Sequence, residues 1–186
     1  AIQNMRKAVE MDSSKKEYYD LLASIYSSAR QFDSAAAAIE TAIKLDSSDV
    51  HLYYKLARLY ENSKPLKAIE SYEKITSLIG PDWDVLIRVA EMYERLGNID
   101  AAVSSIEKLV SIDPANVGLQ KILSEFYQKA GNSEKALEVL NEILEFSPDD
   151  LDARERKAQI FISQNKWDLA AEEYNFILRQ KDVPLD

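Results

Sequence analysis

The chain has 186 residues, room for one domain or an array of small units but not for two large domains. Its four Gly and five Pro are nine of 186 residues, roughly 5% where ordinary usage is nearer 12%, which argues against a turn-rich β-sandwich or barrel. A net charge of −9 spread along the sequence disfavours general binding to nucleic-acid phosphates, the lack of cysteine removes disulfides and thiolate chemistry, and no run reaches the ~18 apolar residues of a membrane span.

In chain order, the first element is a predicted amphipathic helix within residues 1–15. Ala1, Met5 and Ala8 stand 34 residues before Ala35, Ile39 and Ala42, so this helix has the pattern of the second helix of a repeat whose first helix would precede residue 1. Its stripe of Ile2, Met5 and Val9 is expected to lack a partner. Residues 16–49 then place Leu22, Ile25 and Tyr26 before a polar break and Ala35, Ile39 and Ala42 after it, which is the spacing of two successive helices. The same pattern recurs over 50–82, 83–116, 117–150 and 151–184.

Three tracks fix the period. Aromatics at Tyr26, Tyr60, Tyr93, Tyr127 and Phe161 are spaced 34, 33, 34 and 34. Ala35, Ala68, Ala102, Ala136 and Ala170 give 33, 34, 34 and 34, and Ala23, Ala57, Ala90, Ser124 and Ala158 give 34, 33, 34 and 34. The missing residue lies in the connection around Ser63, Lys64 and Pro65, because Tyr60 to Ala68 is one step shorter than its counterparts. Gly97 and Gly131 punctuate the breaks within units, Pro114 and Pro148 the breaks between them. Small residues suit close helix crossings, where a larger side chain would cost about 1–3 kcal/mol. In the last unit Arg154 and Lys157 occupy slots that are normally apolar, so its first helix is expected to pack less tightly. Trp167 shares the slot of Phe32, Leu66 and Ile99 and is expected to staple the hairpin turn by packing.

These residues resemble the tetratricopeptide repeat family, whose 34-residue unit carries a Trp, Leu, Gly/Ala, Tyr, Ala, Phe, Ala, Pro order. The best copies are 83–116, with Leu86, Ala90, Tyr93, Gly97, Ala102 and Pro114, and 117–150, with Leu123, Ser124, Tyr127, Gly131, Ala136 and Pro148. The 35-residue pentatricopeptide repeat, which binds RNA, drifts from this spacing and suits the charge poorly. The resemblance implies an all-α fold, a right-handed superhelical solenoid of stacked antiparallel helix hairpins. It also implies that the first helices line a concave groove for a peptide or helix of a partner. The face opposite the packed alanine then presents His51, Tyr54, Arg58, Ile87, Arg88, Glu91, Lys121 and Glu125, together with Asp20, Ser24, Ser27, Glu61 and Asp84. Tyr54 and Ile87 would be apolar anchors flanked by Arg58, Arg88 and Lys121, or else be partly covered while the arginines are solvated or paired with Glu91 and Glu125.

Some members of that family hold the C-terminal carboxylate of chaperones with a set of Lys, Asn and Arg. The matching slots here read Asp20, Ser24, Lys55, Asp84 and Arg88, of which only Arg88 agrees. Enzyme signatures are equally thin. The lone His51 has no cysteine or second histidine beside it in the sequence, and Asp149, Asp150 and Asp152 lack the glycine and terminal glutamate of a calcium loop, so no cofactor and no metal is expected. The leading reading is a non-catalytic protein-interaction scaffold, with no nucleic acid and no membrane span in this stretch. The alternative is a self-association or spacer module, possible as a homodimer through Ile2, Met5, Val9, Tyr174, Phe176 and Leu178. Compartment is open, with the cytoplasm favoured over the periplasm.

Overall fold

The computed structural model describes residues 1–181, and eleven helices occupy them. In order these are α1 (Ile2–Met11), α2 (Lys16–Ser28), α3 (Phe32–Leu45), α4 (Val50–Tyr60), α5 (Pro65–Ile79) and α6 (Trp83–Arg95). They are followed by α7 (Ile99–Ile112), α8 (Val117–Lys129), α9 (Ser133–Phe146), α10 (Leu151–Ser163) and α11 (Trp167–Lys181), with no strand among the described residues. The chain divides into two compact units, Ala1–Met92 and Tyr93–Asp186. Within the first, α1 packs on α2, α2 on α3, α3 on α4 and α4 on α5; within the second, α7 packs on α8, α8 on α9, α9 on α10 and α10 on α11. Within each unit these pairs are sequence neighbours, as a nearly one-dimensional repeat requires.

The punctuation is chemical. Side chains of Asp49, Asp82, Asn98, Asn116, Asn132 and Asp150 accept backbone N–H groups at the starts of α4, α6, α7, α8, α9 and α10, and Pro65 opens α5 where its missing N–H costs nothing. At the hairpin turns the carbonyl of the aromatic track is the acceptor. Gln31 N–H reaches Tyr26, Asn98 reaches Tyr93, Asn132 reaches Tyr127 and Lys166 reaches Phe161, at 2.8–2.9 Å. The residue just before each of these donors is left-handed: Arg30 (φ 57°), Gly97 (φ 76°), Gly131 (φ 76°) and Asn165 (φ 58°). The short connection closes instead with Lys64 N–H on Tyr60 at 2.8 Å, without a left-handed residue. That is what the lost residue removes.

Both alanine tracks are buried, as is Ser124. The aromatics between them carry a recurring polar tie across successive hairpins. Arg6 Nε donates to the Tyr26 hydroxyl at 2.7 Å, Tyr60 donates to Glu40 at 2.8 Å, and Tyr127 donates to Glu107 at 2.6 Å. Burial first, and then the bonded carboxylate, pushes the Tyr60 and Tyr127 phenols up to about 12.

Three expectations need correction. The stripe on α1 is not open, because α1 lies on α2 with Met5 buried and Ile2 and Val9 half-buried. The slot of Phe32, Leu66, Ile99 and Trp167 is no packed staple: Phe32, Leu66 and Trp167 are 54%, 63% and 60% exposed, and only Ile99 is half-buried. Finally, Arg154 and Lys157 do not loosen α10, whose Ala153, Ala158, Ile160 and Phe161 are buried. Buried Glu173 of α11 meets Arg154 Nη1 at 2.7 Å and Lys157 Nζ at 2.9 Å, while the Arg154 guanidinium lies 3.6 Å from the centre of the Phe176 ring and also donates to the Pro148 carbonyl. Tyr174 packs with Phe161, Ala158 and Ala170, so of the α11 residues expected to self-associate only Leu178 is mostly exposed.

Candidate functional site

In the first unit, the face of the first helices carries two recesses that share one residue, Arg58. One, of about 470 Å³, lies where α2, α3 and α4 meet, with Ala23, Phe32, Ile39 and Leu59 as its apolar lining and Ser24, Ser27, Lys55 and Arg58 around it. The second, of about 540 Å³, is bounded by Tyr54, Arg58, Glu61, Tyr72, Asp82, Asp84, Val85 and Arg88. Both are within the range that holds side chains or small ligands.

Tyr54 is half-buried and meets Tyr72 edge to face, with ring centres 6.4 Å apart and planes at 75°. Its phenol is raised by burial and then by the charges of Asp82 and Asp84. Tyr72 is fully buried and donates to Glu61, which also receives Arg88 at 3.3 Å; burial and that carboxylate push the Tyr72 phenol well up. Arg88 is therefore paired, but with Glu61 of the preceding first-helix end and not with Glu91. Ile87 is half-buried, and His51 and Glu91 are exposed. Lys55 is tied to Asp20 at 2.5 Å. Arg58 is exposed and makes no hydrogen bond or ion pair among the described residues.

The second unit treats the equivalent face differently. Lys121 bridges Asp150 at 2.8 Å and Asp152 at 3.0 Å; Arg156 joins Asp152 at 3.1 Å to Glu125 at 3.4 Å; Lys129 joins Glu125 at 2.9 Å to Glu94 at 2.6 Å. Seven alternating charges thus form one chain of contacts. Desolvation opposes the charge on Lys121, but its two aspartates hold the ammonium above its usual range. Glu125 is held low, first by Lys129 and, against desolvation, also by Arg156. Lys121 and Glu125 belong to this network, whereas His51, Tyr54, Arg58, Ile87, Arg88 and Glu91 lie in the first unit.

Asp82 and Tyr72 were not among the residues expected at the site. A signal for Tyr72 exists, since it is a tyrosine in the slot filled by Ile39, Ile106 and Leu140. No group of three or more His, Asp or Glu among the described residues could hold a metal ion. No helix among them is long and apolar enough to cross a membrane.

The family model for the tetratricopeptide repeat protein 21 ARM repeat matches residues 13–170. The chain belongs to this family. Solved structures similar to this ARM-repeat chain include MamA, at 18% identity and a TM-score of 0.62 over 92% of this chain and 97% of that one. YrrB, a TPR protein with an unusual peptide-binding site, matches at 20% identity and a TM-score of 0.61, covering 98% of the ARM-repeat chain and 95% of its own. The structure of Naa15/Naa10 bound to HypK-THB matches at 18% identity and a TM-score of 0.77 over 98% of this chain, which spans 29% of that one. At these identities the likeness is one of fold. No curated protein matches the ARM-repeat chain.

Proposed function

We propose that the chain is a non-catalytic interaction scaffold that holds a peptide or helical segment of a partner on the face of its first helices. The observation that carries this is the pair of recesses joined at Arg58 on the first unit, where an aromatic, Tyr54, lines one recess with a cation that pairs with no carboxylate among the described residues. A concave site with a few placed polar groups is the usual form of a recognition surface. The peptide-binding site of YrrB, on a similar fold, supports the reading by analogy. The test replaces Tyr54, Ile87 and Arg88 with Ala and compares partners captured from native lysate, with a photo-crosslinking residue at the exposed position 51 in both proteins to mark direct contact. Loss of the crosslinked partner at an unchanged melting profile supports the reading; identical capture by the triple variant refutes it.

A second reading, self-association, has one observation in its favour: Leu178 of α11 is 58% exposed, while Ile177 beside it is buried. A molar mass in solution equal to that of one chain at all concentrations would remove this reading, and a dimer dissociated by Leu178→Glu would support it.

A further inference from the structure

Taking the first-helix face as the partner-binding surface, we infer that the recess between α2 and α4 receives a bulky apolar side chain of the partner segment, and that an acidic side chain adjacent to it in that segment pairs with Arg58. The inference rests on the proposed function above and names the chemistry of its ligand.

Three features lead to it. The recess is lined mainly by carbon, with Phe32, Ile39 and Leu59 as its larger members, and at about 470 Å³ it admits a leucine or phenylalanine side chain with room for its backbone. The charged residues that line it are Lys55 and Arg58, with no acid among its walls. Lys55 is already satisfied by Asp20, whereas Arg58 is not satisfied by anything among the described residues. Its place in the last turn of α4 puts it in the favourable field of the helix end, but that field offers its five donors no acceptor. A carboxylate can take two of those donors in a planar fork.

The opposite sign is disfavoured on the same wall. A basic neighbour of the buried apolar residue would face Arg58 and Lys55 together. Three acids line the other recess: Asp82 caps α6 through Val85 N–H, Glu61 takes Arg88 and Tyr72, and Asp84 makes no ion pair with Arg58 among the described residues. A chain terminus is not required either, because one arginine suffices for a side-chain carboxylate.

The experiment pans a phage-displayed random peptide library on the whole chain, with Arg58→Glu as a second bait. Enriched sequences should place Asp or Glu within two residues of a Leu, Ile, Phe or Met. For synthetic versions measured by fluorescence polarisation, Arg58→Glu should weaken binding about ten- to a hundredfold, the span of a lost charge-assisted contact. Lys74→Glu, an exposed change on α5, should leave it unaltered, as should amidation of the peptide C-terminus. Arg58 is exposed, so a melting curve like that of the wild type is expected for its variant. Peptides that depend on Tyr54, Ile87 and Arg88 but show no preference for an acid, prefer a base, or need a free C-terminal carboxylate overturn this inference and leave the first-helix face standing. Failure to enrich any peptide dependent on that face overturns both.

Discussion

The two units solve the same packing problem and differ in how they spend their charges. In each, buried alanines set the helix crossings, a tyrosine hydroxyl ties one hairpin to the next, and polar side chains cap the helices. On the second unit the first-helix face closes on itself, from Glu94 through Lys129, Glu125, Arg156, Asp152 and Lys121 to Asp150. On the first it leaves Arg58, which lines both recesses, unpaired among the described residues. A surface whose donors already have acceptors gains little from a ligand, while an unpaired guanidinium beside an apolar hollow gains both a bond and buried area. On the proposed function, binding specificity and repeat stability would be carried by different side chains.

The largest expected effect is at the end of the second unit. Glu173→Ala leaves Arg154 and Lys157 facing each other without their common partner, and by the usual cost of breaking a buried pair it should destabilise by about 3 kcal/mol. Asp20→Ala, which frees the half-exposed Lys55 of the first unit, should cost less than about 1 kcal/mol. Urea denaturation of both variants measures this, and equal losses would dissolve the contrast between the two units.

Next comes a feature the units share. Tyr60→Phe and Tyr127→Phe should each cost about 1 kcal/mol, since each deletes the hydrogen bond from a buried tyrosine to a carboxylate, Glu40 keeping only Lys67 at 3.9 Å. The folded phenols titrate near 12, above the value of about 10 expected in an unfolded chain. A raised folded value means that the folded state holds the proton more tightly. The stabilisation is then complete below pH about 10 and is lost as pH rises towards about 12. The double variant should show a shallower loss over that window than the wild type, read from denaturation midpoints at stepped pH. A single-site effect confined to one unit would mean that the ties are not equivalent.

The period made most of the fold legible. The three tracks of small and aromatic residues fall at matching places in α2 to α11, because close helix crossings and a carbonyl that must end each first helix impose residue types at fixed steps. The lost residue near Lys64 was visible too, though not its consequence, the absence of a left-handed turn residue. The site was less legible. Arg88 pairs with Glu61, 27 residues away, and no spacing along one helix reveals a partner on another. Arg154 and Lys157 looked like defects because each was judged alone. Their remedy, Glu173, stands in the slot of Ala38, Ser71 and Ser105, so an acid in a small-residue slot was the signal to read.

Turn residues offer a smaller change of the opposite sign. Arg30 and Asn165 occupy the left-handed position that Gly97 and Gly131 fill elsewhere, so Arg30→Gly relieves a Cβ penalty. It should raise stability by about 0.5–1 kcal/mol, measured by the urea midpoint. Asn165→Gly should gain less, because asparagine tolerates this conformation better than arginine. A gain in the first unit and little in the second would place the difference in turn chemistry beside the difference in charge.

The smallest effect is the sharpest test of the charge network. Glu125→Gln removes its central acid, yet Lys129 keeps Glu94 and Arg156 keeps Asp152, so each cation retains one carboxylate. The loss should be less than about 0.5 kcal/mol and should shrink at high salt, as half-exposed pairs are screened. Because Lys129 and Arg156 hold the Glu125 carboxyl below its ordinary range, the wild type's advantage should be present above pH about 4 and vanish as pH falls through the lowered folded value. What changes more is chemistry at the surface: with one acid gone, the network's four acids and three cations become three of each, and Lys129 and Arg156 each keep one carboxylate instead of two. If spare cationic donors are what distinguish the first unit, freeing one donor site each on Lys129 and Arg156 by Glu125→Gln should give the second a weak affinity for the same acidic peptides, seen as a second, Arg58-independent phase in their binding curves. Unchanged binding would show that charge alone does not make the site, and that the apolar recess beside Arg58 is the part the second unit lacks.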